Sequence, residues 1–232
     1  GRDTLRMLAD ACHRRGFPLS LYHAVISNHH PNYPNRGGPY ELDRPEPGDE
    51  PDAARYLEFV KRQVEELCTG YGELHGFWWD TGPVQGRGPE AAAVGDWFER
   101  TIRRLQPAAV INNRGFGKGD FDTPERDWYG YVKHVLVFER PTEACTSVGV
   151  ESWGYRKDED YYSVRYLCEC IDRTMAKGGN YLLNVGPMGD GSFPPRALEI
   201  LCAIGERFAR VKEAFCGAEP VSYFLEKDNI LV

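Results

Sequence analysis

Residues 76–82 read GFWWDTG: an aromatic run that stops at one acid, Asp80, and is followed by a turn. Phe77, Trp78 and Trp79 have the bulk and strand propensity of a buried β-strand. A carboxylate closing such a strand is costly unless it is partnered or surfaces at the strand end. Working outward, the arrangement recurs. PLSLYHAVI (18–26) reads as a strand carrying Tyr22 and His23, AAVINNR (108–114) as one ending on Asn112 to Arg114, and NYLLNVGP (180–187) as one carrying Asn184.

Amphipathic helices separate these strands. Leu5, Leu8, Ala9 and Cys12 share a face over 4–15, ended by Gly16; Leu57, Val60, Val64 and Leu67 do so over 53–68, ended near Gly70. Val94, Trp97, Phe98, Ile102 and Leu105 mark a third helix closed by Pro107. Val164, Leu167, Cys168, Ile171 and Met175 mark a fourth, stopped at Gly178 and Gly179. A fifth spans 195–215 with Leu198, Leu201, Ile204, Phe208 and Val211 expected inward. A polar loop rich in Pro, Gly and Asn follows the first strand and is long enough to be a functional rim loop. Between 128 and 155 the pattern is weakest; YVKHVLVF and ACTSVGV are strand-like, with one core strand expected near 143–149. The final VSYFLEKDNILV reads as a hairpin turning at Lys227, Asp228 and Asn229.

Strands alternating with helices predict an α/β fold with parallel strands, either a doubly wound sheet or a (β/α)8 barrel. No strand is followed by G-x-G-x-x-G or a P-loop, whereas polar side chains gather at successive strand C-termini, as in barrel enzymes. Five strands are legible, near residues 20, 75, 109, 145 and 182, against the eight of a barrel. The expectation is an incomplete TIM-like barrel over 1–217, with the start of a β-rich C-terminal domain over 218–232.

The 232 residues include 41% hydrophobic and 12% aromatic, enough for one substantial core. With 28 basic against 35 acidic residues, a net charge of −7 and no basic block, nucleic acid and anionic membranes are poor partners and a neutral small molecule fits better. No transmembrane run or signal peptide is legible. Seven cysteines without C-x-x-C spacing read as reduced core thiols rather than a disulfide framework or a zinc site. His29 and His30 have no clustered acid, so the expectation there is a solvated loop and no metal.

Asp80 in a dry wall has a bland reading, a cap or an arginine partner, and a chemical one. Glycosidic cleavage needs one carboxylate to attack the anomeric carbon and a second acid to protonate the leaving oxygen. Glu125, in DFDTPER after the third strand, is a candidate second acid; its alternative is a first-turn helix acid behind Pro124. Carboxyls about 5 Å apart would imply retention, and about 6.5–9.5 Å inversion.

ELCTGYGELHGFWWDTG, AAVINNR, GDFDTPER, SWGY and AKGGNYLLNVGPMGDGSFP, in this order, resemble the α-L-fucosidases of glycoside hydrolase family 29. The resemblance implies retaining hydrolysis of terminal α-L-fucosyl groups from glycans or glycoconjugates. It makes Asp80 the nucleophile and Glu125 the general acid/base, with sugar contacts from Tyr22, Trp78, Arg114 and Trp153. No cofactor or metal is implied, and the oligomeric state is left open. Family members are expected outside the cell, in the periplasm or in lysosomes. Glu143 matches an acidic family position, although Thr142 precedes it where tryptophan is usual. The family's His-Trp-Gly and paired-histidine motifs are absent, so poor or no activity is expected of these residues alone. A non-catalytic carbohydrate-binding relative and a barrel glycosidase for another sugar are the competing readings.

Overall fold

The structure is a computed structural model that describes residues 1–27, 29–34, 47–80, 89–115, 117–126 and 137–220. The chain forms two compact units, Gly1–Phe121 and Asp122–Val232. The expected strand at 131–138, most of the rim loop and the terminal hairpin with its β-rich domain fall largely or wholly outside the described residues.

In the first unit the order is α1 (Thr4–Arg14), β1 (Ser20–Ala24), α2 (Ala53–Gly70), β2 (Gly76–Asp80), α3 (Pro89–Leu105) and β3 (Val110–Ile111). Helix starts are set by side-chain caps: Asp3 accepts from the Arg6 amide, and Asp52 accepts from those of Ala54 and Arg55. The three strands are parallel in the order β1-β2-β3, with Tyr22 opposite Trp78, His23 opposite Trp79 and Ala24 opposite Asp80. Successive side chains alternate between the two faces. Leu21, Phe77 and Trp79 are buried with Val60 and Val64 of α2 and Phe98 and Ile102 of α3. The Trp79 ring centroid lies 4.8 Å from that of Phe98. Burial of each such side chain contributes about 1.5–3 kcal/mol. Tyr22, Trp78 and Asp80 occupy the opposite, more open face.

His23 shares the core face of β1, its ring edge-on to Trp79 at 5.3 Å, and its Nδ1 is buried without a hydrogen-bond partner. Burial lowers its pKa below the ordinary 6.5, offset in part by the Gln63 side chain. The unfolded chain therefore binds this proton more readily than the folded one. The resulting stability is complete above the ordinary pKa of 6.5 and is lost as pH falls below it. Urea unfolding should show stability falling by up to about 1.4 kcal/mol per pH unit below that value, more steeply than in His23→Gln. Equal pH dependence in the two proteins would count against His23 as the source.

The base of the rim loop is docked rather than solvated. The His30 ring packs 4.2 Å from Phe59 and 5.3 Å from Tyr56 of α2, and its Nδ1 accepts from the Asn32 amide. Tyr33 is buried against Tyr56. Asn32 Nδ2 donates to the Glu50 carbonyl at 2.7 Å, tying the two ends of the loop together. His29 is exposed.

The second unit contains β4 (Glu143–Ser147), α4 (Val164–Ala176), β5 (Asn180–Asn184) and α5 (Pro195–Phe215). Strands β4 and β5 are parallel, paired from Glu143 opposite Asn180 to Ser147 opposite Asn184. Ser163 caps α4, and Pro195 opens α5 at a position where its missing N–H costs nothing. The inward seam of α5 is Ala197 and Ile200 with Leu201 and Ile204 partly buried, whereas Leu198, expected inward, is 48% exposed. Asp172 of α4 is buried and meets Arg207 of α5 through two hydrogen bonds of 2.9 and 2.5 Å.

None of the seven cysteines forms a disulfide. Cys68, Cys145, Cys168 and Cys170 are buried, and burial pushes the thiols of Cys68 and Cys170 up to about 11 and about 12. Such thiols are poor nucleophiles. Cys202 and Cys216 are exposed, so the reading of core thiols fails for these two.

Candidate active site

Asp80 is the last residue of β2, and its side chain is 28% exposed. The Tyr22 hydroxyl donates to Oδ2, and Arg114 Nη1 donates to Oδ1 at 3.0 Å. Each carboxylate oxygen is thus held by a different side chain from a different segment. The Tyr22 ring stacks on Trp78, with centroids 5.6 Å apart and planes 19° from parallel. The Arg114 guanidinium lies over the same indole, 4.6 Å from its centroid. Four of the sequence-predicted residues, Tyr22, Trp78, Asp80 and Arg114, are therefore brought together on one face. The alternation of β2 explains it: Trp78 and Asp80 are two residues apart and point the same way, and register places Tyr22 beside Trp78.

Two further groups hold this end of β2, and sequence reading assigned neither its role. Strand β3 ends at Ile111; at Asn112 the backbone amide donates to the Phe77 carbonyl at 3.2 Å and the side chain adds two bonds of its own. Its Oδ1 accepts from the Trp79 amide at 2.8 Å, and its Nδ2 donates to the Trp79 carbonyl at 2.9 Å. Asn112 is 1% exposed, so this two-point clamp works without competition from water. The chain then turns so that Gly115 presses on Trp79; a Cβ there would stand 2.4 Å from the indole Cδ1. Only glycine permits this close approach, which seats Arg114 over Trp78.

Glu125 and Trp153 belong to the second unit. Glu125 is exposed and its backbone is extended, not helical, which removes the helix-acid alternative. Residues 122–126 run parallel to β4: the Glu143 amide donates to the Asp122 carbonyl, that of Cys145 to Pro124, and that of Arg126 to Cys145. Glu125 is bridged to Cys145 between the last two of these bonds. Trp153 is half-buried. Asn184, closing β5, holds its carbonyl at 2.7 Å and the Ser147 hydroxyl at 3.1 Å. Glu159 Oε1 accepts from the amides of Glu151 and Ser152, shaping the loop that presents Trp153. Arg126 stacks over the Trp153 ring with its Cζ 4.5 Å from the centroid. Sequence reading passed over Arg126, and no motif spacing could have marked it.

No helix among the described residues is long and apolar enough to cross a membrane. Comparisons with known proteins converge on one family. The alpha-L-fucosidase family model matches residues 1–213. The tissue alpha-L-fucosidase of Mus musculus is 39% identical over 93 residues, covering 39% of this chain and 21% of that protein. The alpha-L-fucosidase of Dictyostelium discoideum is 25% identical over 241 residues, covering 95% of this chain and 47% of that protein. The structure of alpha-L-fucosidase isoenzyme 1 from Paenibacillus thiaminolyticus superposes with a TM-score of 0.75 at 30% identity, covering 96% of this chain and 56% of that one. The chain spans about half the length of the relatives it matches nearly end to end. With the family match extending over all but the last residues, and the structural likeness over almost the whole chain, the protein belongs to the α-L-fucosidase family.

Proposed function

We propose that this chain carries the nucleophile and the acid/base of an enzyme hydrolysing terminal α-L-fucosyl groups of glycans with retention of configuration. The observation that carries the reading is the Asp80 carboxylate at the end of β2, each oxygen held by its own donor, Tyr22 or Arg114, beside the Trp78 ring. Family membership supplies the substrate class. In the finer fold reading, β1 to β5 supply about five of the eight staves of a (β/α)8 barrel. Residues 1–217 are then part of that barrel, and 218–232 begin a β-rich domain. Support comes from the alternation of strand and helix and from functional side chains at strand C-termini.

In this mechanism Asp80 attacks C1 of the fucosyl group while Glu125 gives its proton to the departing glycosidic oxygen. The C1–O bond to the leaving group breaks as the bond to the Asp80 oxygen forms, inverting C1. Glu125, now a carboxylate, takes a proton from water, which attacks C1, inverts it again and releases Asp80. Arg114 and Tyr22 fix the carboxylate before attack, so orientation is set in advance. The Trp78 and Trp153 rings offer walls to the apolar face and methyl group of fucose.

A 2-fluoro-fucosyl probe with an activated leaving group should form a stable adduct on the Asp80 peptide, read by mass spectrometry. An adduct elsewhere, or none on an otherwise active full-length protein, would reject the assignment. Glu125→Ala should lose roughly 10²–10⁴-fold toward substrates with poor leaving groups. Azide should restore turnover of an activated aryl fucoside and give the α-fucosyl azide. Failure of rescue would move the acid/base role elsewhere.

A further inference from the structure

Arg126 is the one non-glycine residue with positive φ among the described residues, at 47°. The left-handed region is unfavourable for an L-residue and persists only where the surroundings over-determine it. Those surroundings are specific. The Arg126 amide donates to the Cys145 carbonyl at 3.1 Å. Its guanidinium donates to the carbonyls of Gly149 and Ser152, both at 3.2 Å, and to that of Val150, while lying over the Trp153 ring. Three carbonyls at one planar fork, with an aromatic face beneath, suit arginine and not lysine. The same loop is held from its other side by Glu159 and Asn184.

Immediately before this turn, Glu125 sits between two backbone hydrogen bonds: the Cys145 amide donates to the Pro124 carbonyl, and the Arg126 amide donates to the Cys145 carbonyl. Its main chain cannot slide along β4 without breaking them. In its left-handed conformation Arg126 sends its guanidinium into the 149–152 loop. One side chain therefore joins the backbone that carries Glu125 to the ring of Trp153. We propose that Arg126 is a positioning residue for the acid/base. It fixes the Glu125 carboxyl relative to the Trp153 wall, and so to the departing glycosidic oxygen, without touching the sugar. This rests on the acid/base reading of Glu125.

The test separates positioning from mere folding by leaving-group chemistry. A dinitrophenyl fucoside departs without proton donation, whereas a methyl fucoside requires it. In the longest polypeptide the gene encodes, Arg126→Ala should lower kcat/KM, which reports the first displacement alone, about 10- to 100-fold for the methyl fucoside, part of the loss typical of general acid catalysis, and less than about 3-fold for the dinitrophenyl fucoside. Arg126→Gly relieves the backbone strain yet removes the fork, so it should melt no earlier than Arg126→Ala and show the same split. Equal slowing of both substrates in the glycine variant, or failure of both variants to fold, would overturn the proposal in favour of a structural role. Glu125→Ala, run alongside, keeps the two readings distinct. If it shows no leaving-group split, the acid/base reading itself has failed. If it shows one and the Arg126 variants do not, only the positioning inference falls.

Discussion

Asp80→Gly is expected to abolish fucoside hydrolysis, a loss on the order of 10⁴-fold or more, as when a covalent nucleophile is removed elsewhere, while the sugar still binds. Glycine is the informative replacement because it clears the space before C1 and offers no oxygen of its own. Tyr22 and Arg114 lose their shared acceptor, but neither can form an ester with the sugar. Azide then distinguishes the roles of the two carboxyls. In Asp80→Gly it enters from the vacated side in a single displacement and gives the β-fucosyl azide, with Glu125 still protonating the leaving oxygen. In Glu125→Ala it attacks the fucosyl-enzyme from the opposite side and gives the α-anomer. The reverse pairing of products, or near-normal hydrolysis by Asp80→Gly, would sink the assignment.

Asn112→Ala is expected to be among the most destabilising single changes in the first unit. The side chain satisfies both the amide and the carbonyl of Trp79 in a dry setting. Each orphaned partner costs about 1–3 kcal/mol, so a loss of about 2–6 kcal/mol is expected. Urea unfolding should show a lower midpoint with an unchanged slope. Asn112→Asp keeps the acceptor but sets a buried carboxylate against the Trp79 carbonyl, so it should be no more stable than Asn112→Ala. Because Trp79 precedes Asp80, Asn112→Ala should also depress turnover in the fraction that remains folded. A variant as stable as the parent would mean that the clamp is energetically idle.

The helices were legible because their apolar residues recur at helical spacing: α1, α2 and α4 lie within two residues of the sequence reading at each end. Strand β3 was not. AAVINNR has the composition of a seven-residue strand, yet the strand itself covers only Val110 and Ile111; at Asn112 the backbone amide still donates to the Phe77 carbonyl while the side chain takes both backbone groups of Trp79. Composition does not reveal that an asparagine offers its side-chain amide as well as its backbone. The inward face of α5 was misjudged at Leu198, since period alone does not say which part of a broad apolar stripe meets a neighbour. At the site, Asp80 could be suspected from an acid closing an aromatic strand. Glu125 was a candidate second acid on its residues alone, evenly matched by a helix-acid reading, and only the family resemblance singled out Trp153. Arg126 was invisible because a left-handed turn without glycine leaves no mark in a sequence.

The pairing of Tyr22 with Trp78, and of Ala24 with Asp80, has a consequence for what selection can see. Side chains alternate, so a slip of β1 by one residue would turn Tyr22 into the core and leave Asp80 without its hydroxyl partner. What prevents the slip is the fit of Leu21, Phe77 and Trp79 on the face turned away from the carboxylate. Selection for turnover therefore reaches through the sheet to apolar residues no substrate meets, and their tolerance to change is set by chemistry as well as by stability.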